Sequence, residues 1–216
     1  MDFEILSTAI QKGKVKDVKT LVNQALEEDV PVKDILEQGL IAPMGIVGEN
    51  FSANRIFVPE MLMSARAMSA GVKIIEPLFS ESGIEPVGTV VIGTVKGDLH
   101  DIGKNLVAMM MRGAGLNVYD IGIDVPDAKF VEKAEEVNAD IVALSALLTT
   151  TMPAIADVIR EFENQGVREK YHIMIGGAPV SQAFADEVKA DCYTSDAASA
   201  AEHAKKYLEK KKGDRA

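Results

Sequence analysis

From Val87 onward the chain is built on two alternating periods, and few architectures accommodate that pattern. Short apolar runs rich in β-branched residues occupy 89–95, 117–121, 141–145, 173–175 and, more weakly, 192–193. Between them lie stretches of helical spacing over 101–114, 128–136, 153–165, 182–188 and 197–211. A strand that is apolar on both faces is buried on both, as in a parallel sheet covered by helices. Strict alternation of such strands with helices predicts a doubly wound α/β fold. Five strands fit the flavodoxin-like order better than the six-stranded dinucleotide-binding order.

The first 80 or so residues carry only the helical period. Val18, Leu21, Val22 and Ala25 share one face over 15–28. Ile35, Leu36, Leu40, Met44 and Val47 do so over 31–50, and Met61, Leu62, Ala65, Met68, Val72, Ile75 and Leu78 over 59–79. Apolar residues every three to four positions form a stripe that must be buried against other helices. With a first helix over 3–12, the pattern predicts a four-helix antiparallel bundle. Pro31 and Pro59 stand at helix starts, where proline is tolerated. The polar stretch 81–86, with Ser82, Gly83 and Pro86, reads as a linker. The expected division is an all-α cap over 1–84 and an α/β domain over 85–216.

Charge and composition exclude some functions. Thirty-three acidic against 23 basic side chains give a net charge of −10. A duplex-binding surface needs clustered Lys and Arg, and the basic stretch 205–215 reads as a solvated helix end. No nucleic-acid partner is expected. No apolar run reaches the ~20 residues needed to span a bilayer, and the acidic start MDFEIL lacks a basic leader region. With a single cysteine, Cys192, no internal disulfide can form. A cytoplasmic protein without membrane attachment is expected.

In an open α/β sheet, ligands bind beyond the carboxyl ends of the strands, where the strand order reverses. The loops there are 96–103, 145–151 and 176–179, all rich in Gly, Ser, Thr, Asp and His. The first lacks the glycine fingerprint that cradles a pyrophosphate. It offers Asp98 and His100, two residues apart. A metal-binding imidazole usually hands its other ring N–H to a carboxylate, which sets its tautomer. Gly103 would let a flat, bulky ligand approach the backbone. On the residues alone a second reading stands: Asp98 as a helix cap and His100 as a polar loop residue. His172 and His203 lie away from these loops, and Cys192 reads as a small buried hydrophobe. A lone histidine ligand makes sense only for a metal already held in a macrocycle.

The run Asp98-x-His100-x-x-Gly103, continuing into Lys104-Asn105, closely resembles the DxHxxG motif of cobalamin-binding domains. Ser145-x-Leu147 and Gly176-Gly177 are similar to that family's next two motifs, in order and at the expected strand ends. The N-terminal bundle resembles the helical cap of methionine synthase and of small corrinoid proteins. In size and layout the chain resembles the corrinoid proteins of methylamine, methanol, quaternary-amine and aromatic O-demethylation systems.

The resemblance implies a flavodoxin-like (Rossmann-like) α/β domain behind a helical cap. It also implies cobalamin or a related corrinoid as cofactor. His100 would be the lower axial ligand of the cobalt, replacing dimethylbenzimidazole, with Asp98 hydrogen-bonded to it and Asp101, Ile102 and Gly103 in the same cofactor loop. Thr151 falls where the family often has a serine that completes a His–Asp–hydroxyl relay. Ser145, Leu147 and Thr149 would line the slot for the displaced nucleotide tail, which Gly176 and Gly177 would let pass. Phe57, Val58, Met61 and Leu62 would cover the upper corrin face.

The function implied is a methyl carrier. A substrate-specific methyltransferase would load the methyl group from a methylated amine, methanol, betaine or methoxy-aromatic donor. A second methyltransferase would pass it to tetrahydrofolate or coenzyme M, and a reductive activase would restore the cofactor. No nucleophile or general base is placed for independent turnover, so no residue is assigned a catalytic role. Rival readings are the cobalamin-binding subunit of an isomerase, a cobalamin-sensing regulator, and a flavodoxin-like domain without corrinoid.

Overall fold

The computed structural model describes residues 2–79, 82 and 86–214. They form two compact units, Met1–Pro86 with Gly113–Gly115, and Val87–Arg112 with Leu116–Ala216. The expected boundary at 84/85 lies outside the described residues, as do most of the 81–86 linker and Arg215 of the basic tail.

The helical unit opens with α1 (Phe3–Gln11), capped by the Asp2 carboxylate, and α2 (Val15–Glu27). Val18, Val22 and Ala25 are the buried residues of α2, at the spacing of one helical face. The single helix expected over 31–50 differs in detail. A short turn, α3 (Val32–Asp34), widens into a π-helical stretch, Ile35–Ile41, before α4 (Ala42–Ser52). Two features account for the widening. Pro43 has no N–H, and its ring crowds the carbonyl four residues back, which a locally wider helix relieves. Gly39, within the stretch, lies so close to Leu6 and Phe3 of α1 that a Cβ would collide there. The unit closes with α5 (Val58–Ile75) and a 3₁₀ turn, Glu76–Leu78. The Phe57 N–H donates to the Glu60 carboxylate at 2.7 Å, which satisfies one free amide at the start of α5.

The second unit runs β1 (Thr89–Thr94), α6 (Ile102–Gly113), β2 (Asn117–Asp120), α7 (Asp127–Glu136), β3 (Ile141–Ser145), α8 (Met152–Asn164), β4 (His172–Gly176), α9 (Gln182–Val188), β5 (Cys192–Tyr193) and α10 (Ala197–Gly213). All neighbours are parallel in the order β2-β1-β3-β4-β5, the flavodoxin-like arrangement expected. Strand order therefore reverses between β1 and β3. Thr94 stands opposite Ser145, and Ser145 opposite Gly176, so the three expected loops leave the sheet side by side. The core of one sheet face contains Val91, Val142, Leu144, Ile173 and Ile175 with Phe130, Ile155 and Phe162 from α7 and α8. The basic end of α10 is held in part, because Lys211 pairs with Asp140 at 2.9 Å. Among the described residues no helix is long and apolar enough to cross a membrane.

Candidate functional site

The loop after β1 folds around a fully buried carboxylate. Gly97 adopts φ +81°, a left-handed conformation that turns the chain back at the end of the strand. Asp124 clamps this turn twice: its carboxylate accepts from the Gly97 N–H at 2.7 Å, and its own N–H donates to the Asp98 carbonyl at 3.0 Å. Asp98 Oδ1 then accepts from the His100 backbone N–H at 3.0 Å and from the His100 ring at Nδ1, 2.7 Å away. Asp98 thus closes a turn around His100. The Thr94 hydroxyl, buried at the end of β1, donates to the His100 carbonyl at 2.9 Å.

The second oxygen of Asp98 reaches the loop after β3. Oδ2 accepts from the Leu147 N–H at 2.7 Å and from the Thr151 hydroxyl at 2.7 Å. Thr151 Oγ1 also lies 3.0 Å from the Leu148 carbonyl, so its one proton has two acceptors within reach. Burial pushes the Asp98 carboxyl up. The bonds from Thr151, Leu147 and His100 together outweigh burial and hold it well below the usual carboxylate range. An ionised Asp98 only accepts, so the proton of a neutral His100 sits on Nδ1 and the Nε2 lone pair is left free.

The His100 side chain is 48% exposed, while that of Asp98 is fully buried. The same loops expose large apolar side chains: Leu99 is 68% and Ile102 76% exposed, with Leu147 and Leu148 also open to solvent beside the polar Asp101 and Thr149. A Cβ at Gly103 would meet nothing within 4 Å, so the start of α6 is open there. Lys104, on the next position, is buried and paired with Asp120 and Asn105, which ties α6 to the end of β2. Among the described residues, no cluster of three metal-ligating side chains includes His100. A half-exposed imidazole, braced by a buried carboxylate and set on loops that also expose large apolar side chains, fits a macrocycle that carries its own metal.

Comparison with known proteins agrees with this chemistry. The B12 binding domain family matches residues 88–205, and a second B12 binding domain family matches 3–76. Dimethylamine corrinoid protein 1 of Methanosarcina acetivorans is 47% identical over 94% of this chain and 95% of its own length. The chain belongs to the B12-binding corrinoid proteins. Among solved structures it resembles a cobalamin-binding protein from Desulfitobacterium hafniense, with TM-score 0.80 and 27% identity over 96% of this chain and 98% of that one. It also resembles a chain of the methanol:cobalamin methyltransferase complex from Methanosarcina barkeri, with TM-score 0.86 and 31% identity over 95% of this chain and 79% of that one.

In this corrinoid protein the expected loop residues come together at one end of the sheet. Ser145 is half-buried at the end of β3, Thr149 is exposed beyond it, and neither hydroxyl has a partner among the described residues. Asp98 caps no helix, and Leu147 bonds to it through its backbone. The two glycines at the end of β4 differ in their reasons. A Cβ on Gly177, at φ +133°, would strike the Ala146 carbonyl, so the protein's own backbone demands glycine there. A Cβ on Gly176 would only touch the Thr194 carbonyl at 3.8 Å, which leaves space on that side. Asp101 is exposed and accepts from Asn105 at 3.0 Å. In the cap, Phe57 and Val58 are exposed, Leu62 is half-buried, and Met61 is fully buried. As placed here, Met61 packs and presents no surface. Sequence reading missed Thr94, Asp124 and the Leu148 carbonyl. The only signals for them were a hydroxyl at a strand end and an aspartate in the loop after β2.

Proposed function

We propose that this corrinoid protein carries a methyl group between two methyltransferases, holding its cofactor at His100. The observation that carries the reading is the 2.7 Å contact of His100 Nδ1 with the buried Asp98 carboxylate on a side chain 48% exposed, a contact that puts the ring proton on Nδ1 and the ligating lone pair on Nε2. When bound, the corrinoid supplies a cobalt that accepts and gives up a methyl group. The chain's residues orient and shield. Asp98 holds the imidazole in the ligating tautomer, and the Thr151 hydroxyl can move its proton between Asp98 Oδ2 and the Leu148 carbonyl. Leu99, Ile102, Leu147 and Leu148 exclude water, with Asp101 and Gly103 at the same rim. Ser145, Thr149, Gly176 and Gly177 line the slot for the nucleotide tail. The cap, assigned to 1–84, would present Phe57, Val58 and the half-buried Leu62 to the upper face, with Met61 as packing. The corrinoid-binding domain is assigned to 85–216.

Similarity to dimethylamine corrinoid proteins supports a methylated amine as the donor. The likeness to a methanol:cobalamin methyltransferase complex supports a methyltransferase as direct partner. The second partner would transfer to tetrahydrofolate or coenzyme M, and a reductive activase would restore the cobalt. Such reduction requires a reducing compartment, which supports a cytoplasmic location.

The test is the visible spectrum after incubation with hydroxocobalamin and desalting. Wild type should retain the corrinoid with histidine-ligated cobalt, and His100→Ala should give a base-off or water-ligated spectrum. Colourless wild type, or identical spectra for the two proteins, would refute the assignment.

A further inference from the structure

At the opposite end of the sheet from the loops above, three metal-ligating side chains face one another. His172 is the first residue of β4, Cys192 the first of β5, and His203 lies on α10. One ligand atom from each lies within 4.8 Å of the other two. The two Nε2 atoms are 3.1 Å apart. Two nitrogens bound to one tetrahedral zinc, each at ~2.0–2.1 Å, stand roughly 3.3 Å apart, so the observed spacing is close to a ligating pair. The His172 ring is stacked on Tyr207, centroids 4.0 Å apart, and lies nearly parallel to His203 at 5.3 Å. Tyr207 and His203 are one turn apart on α10, so the helix holds both imidazole planes.

We propose that His172, His203 and Cys192 bind one zinc-class divalent cation through two Nε2 atoms and Sγ, with water in the fourth position. Two imidazoles with one thiol are borderline-soft donors suited to zinc. Behind His172 stands Asp191, whose Oδ2 is 4.0 Å from Nδ1. That oxygen is fixed by the Ile173 N–H at 2.7 Å and by Arg168 at 2.9 Å. At 4.0 Å Asp191 makes no hydrogen bond to the ring, and its charge acts on His172 through space. The nearby cations are locally neutralised, Arg168 by Asp191 and Lys211 by Asp140. Burial lowers the His172 pKa to about 4, so its ring is neutral near pH 7, and ligation through both Nε2 atoms keeps each ring's one proton on Nδ1. Burial, with Asp191, raises the Cys192 thiol to about 11. Binding therefore replaces the S–H bond by a metal–thiolate bond and releases one proton to solvent. The cation would tie α10 to a sheet edge where β5 has only two residues.

The test uses the full chain without a histidine tag, freed of metal by chelation and without corrinoid. Zinc titration by calorimetry should give one equivalent per chain and a rise in melting temperature. Cobalt(II) should give a thiolate-to-metal charge-transfer band. Removing a supporting partner costs a metal site ~10–100-fold in affinity, so Cys192→Ser and His203→Ala should each lose at least that much. Cys192→Ser should also lose the charge-transfer band, and His100→Ala should bind zinc like wild type. If Cys192→Ser fails to fold, His203→Ala decides, since His203 is half-exposed. No zinc uptake, uptake unchanged in the folded variants, or uptake abolished by His100→Ala would overturn the proposal.

Discussion

Replacing Asp98 by asparagine keeps the side chain's shape and turns one acceptor oxygen into a donor, which the surrounding bonds cannot absorb without loss. Two orientations are open to the amide. If nitrogen takes the place of Oδ2, the Leu147 N–H, now 2.7 Å from its acceptor, faces a second donor. The Thr151 hydroxyl can adapt by accepting from the amide and giving its proton to the Leu148 carbonyl 3.0 Å away. The Leu147 N–H has no such exit, and an orphaned buried donor costs about 1–3 kcal/mol. If nitrogen takes the place of Oδ1, the His100 backbone N–H loses its acceptor, and His100 Nδ1, 2.7 Å away, must accept instead. The ring proton then moves to Nε2 and occupies the ligating lone pair. In either case two or more charge-assisted bonds become neutral ones, at about 1 kcal/mol each, partly offset because a charge is no longer buried. The net expectation is a loss of about 2–4 kcal/mol, measured by urea unfolding of the corrinoid-free chain. Corrinoid should still be taken up, with a mixture of histidine-ligated and base-off spectra. A stability within about 0.5 kcal/mol of wild type, the usual range for a neutral surface change, together with an unchanged ligated spectrum, would show that these bonds do not orient His100.

The two glycines at the end of β4 should separate by role. Gly177→Ala puts a Cβ into the Ala146 carbonyl at φ +133° and should cost at least about 2–3 kcal/mol, read by thermal unfolding. Gly176→Ala should leave the melting temperature unchanged and lower corrinoid retention; equal retention would remove Gly176 from the tail slot. Gly103→Ala should stabilise α6 by up to ~1 kcal/mol, since alanine is the better helix former, while weakening corrinoid uptake because the added methyl occupies open space. Asp127→Asn should stabilise the chain at neutral pH. Burial and the neighbouring Asp157 raise the Asp127 carboxyl above its ordinary value of 3.8, and its Oδ1 is buried without a partner. Its penalty is therefore full above the raised folded value and fades as pH falls towards 3.8. Wild type should gain stability over that window relative to Asp127→Asn, and parallel pH profiles would refute the assignment.

What the sequence by itself determined is whatever depends on local period. The switch from helical spacing to alternating strands and helices at Val87 dictates two units, one all-helical and one doubly wound. The apolar runs over 89–95 and 141–145 dictate buried parallel strands, and the position of Asp98 and His100 just after the first of them puts both at a ligand-binding end. The Asp98–His100 bond was legible because it spans two residues. Tertiary structure alone decided the rest, because a hydrogen bond between distant residues depends on which strand ends the fold sets side by side. The other oxygen of Asp98 meets Leu147 and Thr151, 49 and 53 positions away, only because β1 and β3 are neighbours in register. The same holds for Asp124 clamping the Gly97 turn and for Gly177 pressed on Ala146. The π-helical stretch over Ile35–Ile41 answers in part to the close approach of Gly39 to α1, which periodicity does not report. His172, Cys192 and His203 read as unrelated along the chain. They meet because β5 pairs with β4, Cys192 standing opposite Met174 two residues into that strand, and the ion pair and ring stacks of α10 hold that helix against them.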